Sequence, residues 1–86
     1  MPRYITSHNM ACLTRQGARE LAQTMRSSPG VEFLRLLGNM TDGQLLAEFE
    51  VASREVLQQW LEKLGMHYQW MARMDFEATR EGFRDL

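Results

Sequence analysis

Residues 31–51 read VEFLRLLGNMTDGQLLAEFEV, and this stretch decides the fold. Residues 31–37 are nearly continuous in apolar side chains, whereas residues 44–51 alternate apolar and polar side chains with the period of a β-strand. Between them, residues 38–43 end in Asp42-Gly43, a dipeptide that strongly favours a tight hairpin turn. The stretch therefore predicts two antiparallel strands that are neighbours in one sheet.

A strand and a helix precede this hairpin, and a helix and a strand follow it. Residues 3–9 are rich in β-branched and aromatic types and predict the first strand, and residues 68–77 alternate again and predict the fourth. Thr14 is a good N-cap for a helix over residues 15–27, and Ser53 is one for a second helix. Apolar residues recur at helical spacing in both segments, at Ala18, Leu21, Ala22 and Met25 in the first and at Leu57, Trp60, Leu61 and Leu64 in the second.

This order of elements predicts the fold class and the domain organisation. The chain is an α+β protein of the ferredoxin-like βαββαβ type, because a strand, a helix and a strand occur twice. Right-handed crossovers then favour a four-stranded antiparallel sheet of order 4-1-3-2 with two helices on one face. Residues 1–78 form this domain, and residues 79–86 are predicted to be a charged C-terminal tail.

The composition restricts the binding partners and the subcellular location that we expect. The 86 residues suffice for one hydrophobic core, and ten basic and eleven acidic residues leave a net charge of -1. That charge is too small to attract phosphate backbones or anionic lipid, so we expect neither nucleic acid nor a membrane as partner. With no apolar run of signal-peptide length and a single cysteine, the chain is expected to be cytoplasmic.

The predicted topology brings all the histidine and cysteine residues to one edge of the sheet. His8 ends strand one, Cys12 precedes helix one and His67 precedes strand four, with Asp42 available from the hairpin loop. Two imidazoles and a thiolate suit zinc, nickel or copper, so His8, Cys12 and His67 are candidate metal ligands. In the alternative interpretation His8 pairs with a neighbouring polar group, His67 starts a strand and Cys12 is a small buried hydrophobe.

Other candidate residues also have two interpretations. Glu48 and Glu50 are either an acid/base pair on the open sheet face or a solvated stripe that Arg35 or Arg73 neutralises. Either way, these carboxylates would repel RNA from the face that RNA-recognition domains of this fold use. The two tryptophan residues either hold an aromatic ligand between them or pack in the core.

Several short motifs resemble one family. They are Arg3-Tyr4-Ile5, the segment Pro29-Gly30-Val31-Glu32-Phe33-Leu34-Arg35, Glu48-Phe49-Glu50 and Leu64-Gly65-Met66. Together they resemble the small ferredoxin-like nickel-binding proteins, within the wider group of dimeric α+β barrels, over residues 3–78. The resemblance implies a homodimer built through the open sheet face and metal ligation by histidine, for which this chain offers His8 and His67.

These observations lead to one functional hypothesis and one alternative. The first is a dimeric, non-catalytic domain that binds a nickel or zinc ion, or a small ligand, through His8 and His67 with help from Cys12. The alternative is a dimeric α+β barrel enzyme of the monooxygenase or isomerase type, in which His8 is the base for a small aromatic or polyketide-like substrate. The dimer is also predicted from apolar residues expected on the open face, namely Leu34 and Leu36 or Phe33 and Leu37, together with Leu46.

Overall fold

The elements follow the predicted order along the chain, with two short strands added at the end. The structure is a computed structural model that describes residues 1–86. The elements are β1 (Arg3–Asn9), α1 (Arg15–Ser27), β2 (Val31–Asn39), β3 (Gln44–Val51), α2 (Arg54–Lys63), β4 (Trp70–Met74), β5 (Phe76–Thr79) and β6 (Gly82–Asp85). The first six of them form the βαββαβ unit.

The four-stranded sheet has the predicted topology. Its order is β2-β3-β1-β4, which is 4-1-3-2 when read from the other edge, and every neighbouring pair is antiparallel. The central pair runs from Arg3 opposite Glu50 to Asn9 opposite Gln44. Side chains alternate between the two faces of each strand, so Tyr4, Thr6 and His8 share one face of β1. We call this the helix face, because both helices pack on it, and we call the opposite face the open face.

Both helices begin at the predicted caps. The Thr14 hydroxyl accepts a hydrogen bond from the backbone N–H of Gly17 at 2.9 Å, and the Ser53 hydroxyl accepts one from Val56 at 3.3 Å. These bonds satisfy N–H groups that have no partner inside the helix. Neither helix has the length and apolar character that a membrane span requires.

The core lies between the helices and the helix face of the sheet. Phe49 is fully buried at its centre, with the Trp60 ring edge-on at 5.2 Å between centroids and the Phe33 ring at 6.0 Å. Trp60 therefore packs in the core rather than against a ligand. The buried residues of this cluster are Tyr4, Met25, Val31, Ala47, Phe49, Val51, Leu57, Leu61 and Met71.

A register shift in β2 decides which of its leucine residues face the helices. Phe33 is opposite Phe49 and Arg35 is opposite Glu48, so Leu34 is one extra residue, as in a β-bulge. Beyond it, Leu36 lies opposite Ala47 on the helix face, and Leu37 lies opposite Leu46 on the open face. The shift therefore places Leu37 on the open face, beside Leu46 of β3, and removes Leu36 from it.

The prediction of a charged tail over residues 79–86 differs from the structure. Strand β4 ends at Met74, and the chain continues as the antiparallel hairpin β5–β6, in which Phe76 pairs with Asp85 and Ala78 with Phe83. The hairpin is closed at its base by the backbone N–H of Leu86, which donates to the Asp75 carbonyl at 2.9 Å. Residues 79–86 contain four charged residues and do not alternate, so the sequence of this segment alone favours a solvated tail over a strand.

Candidate functional site

Both ring nitrogen atoms of His8 are bonded inside the chain. The side chain is only 1% exposed, with Nδ1 2.8 Å from the His67 carbonyl oxygen and Nε2 2.7 Å from the Thr6 hydroxyl. A carbonyl oxygen only accepts, so Nδ1 carries the proton and donates it, and Nε2 accepts from the hydroxyl. His8 is therefore a neutral imidazole that connects β1 to the segment before β4.

Burial lowers the pKa of His8, although the hydrogen bond to the His67 backbone acts in the opposite direction. The folded chain keeps His8 neutral at pH values where the unfolded chain already protonates it. The contribution to stability is therefore complete above the unperturbed histidine pKa of about 6.5 and is lost as the pH falls below it.

We expect urea unfolding to show lower stability at about pH 5 than at about pH 7.5, with part of the difference due to His8. His8→Gln should reduce this pH dependence, because glutamine does not titrate. His67→Gln is the matched control and should keep it, because His67 contributes its backbone carbonyl to the bond and not its ring. Equal pH dependence in wild type and His8→Gln would contradict the assignment.

The structure places the predicted metal ligands on different surfaces. Cys12 and Asp42 are both exposed and line one cleft, as the predicted edge requires. His67 is exposed and lines another cleft beside α2, and the His8 ring lies in neither of them. No group of three or more His, Cys, Asp or Glu side chains is arranged to hold a metal ion. The predicted topology thus brings the backbones of His8 and His67 together, while their side chains do not share a site.

Gly43 explains why Cys12 and Asp42 are close. The backbone N–H of Met10 donates to the Gly43 carbonyl at 2.7 Å, which ties the β1–α1 connection to the hairpin loop. Gly43 has φ of 67°, and a Cβ there would be 2.7 Å from the Met10 carbonyl oxygen. Only glycine allows this backbone approach without strain.

A cleft that the sequence analysis did not identify lies between the start of α1 and the β2–β3 hairpin. Its volume is about 570 Å³, and we call it the α1 cleft. Its lining residues are Leu13, Thr14, Arg15, Ala18, Leu36, Gly38, Asn39, Met40 and Leu45. Arg15 is the one lining residue that carries a charge. The small residues Ala18 and Gly38, on the facing elements, are the sequence signal for the space between them.

An ion-pair network lies on the open face and centres on Arg3, which the sequence analysis did not single out. The guanidinium is nearly buried and lies 3.1 Å from Glu48, 3.1 Å from Glu50 and 3.3 Å from Glu77. Burial lowers the pKa of Arg3, but these carboxylates outweigh it and hold the pKa above its ordinary value. Arg35 Nε adds a 2.8 Å contact to Glu48. Glu48 and Glu50 are thus neutralised by arginine residues, as the structural interpretation of this pair expects, but Glu48 is buried rather than solvated and the partners are Arg3 and Arg35 rather than Arg73.

The register aligns four residues in one row across the open face. Leu37 lies opposite Leu46, Leu46 opposite Ser7, and Ser7 opposite Trp70. Three of the four residues are apolar, whereas Ser7 is buried and its hydroxyl is hydrogen-bonded to the side chains of Gln44 and Gln69. The two ends of the row are the most accessible, since Leu37 is 50% exposed and Trp70 is 45% exposed.

Comparison of the chain with protein-family models, with curated proteins and with solved structures found no significant match. The resemblance to nickel-binding proteins therefore stays a prediction from the short motifs that suggested it. Three features of the chain bear on its function, namely the α1 cleft, the open face and His8.

Proposed function

We propose that this chain is a small, non-catalytic binding domain that holds a small molecule in the α1 cleft and acts as a homodimer through its open face. The observation that carries the proposal is the cleft itself. Its volume of about 570 Å³ is within the range of small-molecule sites, which are mostly apolar with a few polar groups. Leu13, Leu36 and Leu45 supply apolar wall, and Arg15 favours a ligand that carries an anionic group.

The lining of the cleft supports binding over catalysis. General acid/base catalysis needs a group that titrates near neutral pH within hydrogen-bond reach of the substrate. The cleft contains no His, Cys, Asp, Glu, Lys or Tyr side chain, and its one charged group, Arg15, does not exchange protons at neutral pH. His8 is buried with both nitrogen atoms bonded, so it is poorly placed as the base of a dimeric α+β barrel enzyme.

A nickel or zinc ion at His8, Cys12 and His67 has less support than an organic ligand. Metal ligation needs a free lone pair on each imidazole, and the lone pair of His8 Nε2 accepts the Thr6 hydroxyl. The residues present do not fit a three-ligand site in this arrangement. The ferredoxin-like classification and the cytoplasmic address are consistent with the proposal and stay predictions.

The uncovered open face of the sheet is the feature that supports the homodimer. Leu37 and Trp70 leave apolar surface accessible there, and no helix covers that face. These exposed apolar residues on an uncovered sheet face are the reason for proposing that a second copy packs there.

Titration with 8-anilino-1-naphthalenesulfonate tests the cleft, because this dye joins an apolar aromatic body to an anionic group. We expect saturable binding of one dye molecule per chain, with a blue-shifted emission. Ala18→Met extends a side chain into the cleft and should weaken binding about tenfold, and Arg15→Gln should weaken it about threefold to tenfold. Gln23→Met is the control, because it adds the same side chain at an exposed position of α1.

Equal affinities in wild type, Ala18→Met and Arg15→Gln would contradict the proposal. Calorimetric titration with nickel or zinc chloride tests the competing hypothesis of a metal site. One ion bound per chain, with affinity reduced by both His8→Ala and His67→Ala, would favour the metal site over the α1 cleft.

A further inference from the structure

The cleft that Cys12 and Asp42 share is lined by three side chains that contain sulfur. It lies between the β1–α1 connection and the loop of the β2–β3 hairpin, and its volume is about 560 Å³. Met10 and Cys12 line it from the connection, and Met40 lines it from the hairpin loop. We call it the sulfur cleft, and it brings together a thiol and two thioethers.

The two methionine residues of the sulfur cleft do not belong to the core. Met25 and Met71 are buried in the core cluster and Met66 packs against it, which is the usual role of methionine. Met10 and Met40 are in neither group, and Met40 is 45% exposed. Core packing therefore does not explain a thioether at these two positions.

The backbone holds the two sides of the sulfur cleft close together. The N–H of Met10 donates to the Gly43 carbonyl at 2.7 Å, which fixes the connection against the hairpin loop. Leu13, the residue after Cys12, and Met40 also line the α1 cleft together, so the two loops are close along this whole segment. A methionine side chain is unbranched with three rotatable bonds, so its sulfur adjusts to a ligand position without a change in these backbones.

The lining of the sulfur cleft favours a soft cation. Asp42 is its one acidic residue, and no Arg, Lys or His side chain lines it. Thiolate and thioether sulfur are soft ligands, and they select Cu(I). Zinc sites use at least three side chains of the Cys, His, Asp or Glu type, and the cleft offers only Cys12 and Asp42 of these types.

We propose that the sulfur cleft binds one Cu(I) ion through the Cys12 thiolate and the thioethers of Met10 and Met40. The thiol loses its proton when the ion binds, so the ion and its three ligands are neutral together. The site uses no histidine and thus differs from the nickel or zinc site considered above. Neither the ligand of the α1 cleft nor the homodimer is required for it.

Competition with bicinchoninate, a chelator that is coloured when it holds Cu(I), measures the affinity of the reduced protein without oxygen. Wild type should bind one Cu(I) ion per chain. Cys12→Ser should lower the affinity by about a hundredfold or more, because it removes the anionic sulfur. Met10→Leu and Met40→Leu should each lower it by about tenfold, because each removes a ligand and keeps a similar apolar volume. Met66→Leu is the matched control, because Met66 does not line the sulfur cleft.

X-ray absorption spectroscopy of the wild-type copper complex identifies the ligands without any substitution. The ion should have sulfur neighbours only. Nitrogen neighbours would assign the ion to an imidazole, such as that of the exposed His67, and would overturn the proposal.

The affinities of the variants give further results that would overturn the site. Binding that Cys12→Ser removes, but that Met10→Leu and Met40→Leu leave unchanged, would show an isolated thiolate and no three-sulfur site. Half an ion per chain would show an ion shared between the thiols of two chains. Dye binding in the α1 cleft and sedimentation equilibrium without copper test the proposed function separately, so it stands or fails independently of the copper site.

Discussion

Phe49→Ala is expected to lower the free energy of unfolding by about 3 to 5 kcal/mol, the usual cost of truncating a fully buried phenylalanine. Phe49 is inaccessible to solvent and touches the rings of both Phe33 and Trp60. Alanine removes the apolar area of the ring and leaves a cavity that helix α2 and the sheet cannot close without moving. Urea unfolding followed by tryptophan fluorescence measures the loss.

Val56→Ala is the control for this prediction. Val56 is an exposed residue of α2, and its truncation should change the free energy of unfolding by less than about 0.5 kcal/mol. A loss below about 1 kcal/mol for Phe49→Ala would mean that the core is not centred on this ring.

Arg3→Met is expected to cost about 3 kcal/mol, because it leaves a buried carboxylate without its buried partner. Glu48 is almost as buried as Arg3, and after the change only the exposed Arg35 neutralises it. Methionine keeps much of the apolar stem of the arginine, so the loss reports on the charge rather than on packing. Denaturant midpoints near neutral pH measure it.

Two further variants identify the cause. Glu48→Gln in the Arg3→Met background should restore part of the stability, because the unpaired buried charge is then absent. Arg35→Met alone removes a largely exposed partner of the same carboxylate and should cost no more than about 1 kcal/mol. Equal losses for Arg3→Met and Arg35→Met would show that burial does not strengthen the Arg3 network.

The α+β class, the helix limits and the sheet order are all predictable from local signals. Thr14 and Ser53 cap the helices, and Asp42-Gly43 lies in the turn between β2 and β3. Right-handed crossovers then leave one order for the sheet, and the structure has that order. The caps and the turn depend on residues close together in the chain, and the handedness of crossovers is a general rule. A single sequence is therefore enough to predict these features.

The arrangement of the candidate site is less predictable. Alternation along β1 places Thr6 and His8 on one face, but the bond between them depends on side-chain rotamers and on the position of the His67 carbonyl. The α1 cleft is likewise a space between elements, and its size depends on where α1 rests on the sheet. The distances around His8 and the size of the α1 cleft cannot be derived from residue types and their spacing.

The hairpin β5–β6 is a further feature that the sequence does not predict. Within residues 79–86 only Phe83 and Leu86 are apolar and four of the eight residues are charged, a composition that resembles a solvated tail. The strand pairing, and the long-range contact between Arg3 and Glu77, are visible only when the chain is folded.

The extra residue in β2 also determines where the chain tolerates a change in length. Because Leu34 has no partner in β3, a chain that lacked it would still align Phe33 with Phe49 and Arg35 with Glu48. Every other side chain of the strand would keep its face. A one-residue deletion inside β3 would instead shift its pairing with both neighbouring strands and exchange the buried and open faces beyond it. In an evolutionary sense, β2 is a place where related chains can gain or lose a residue, whereas the central strands must conserve their length.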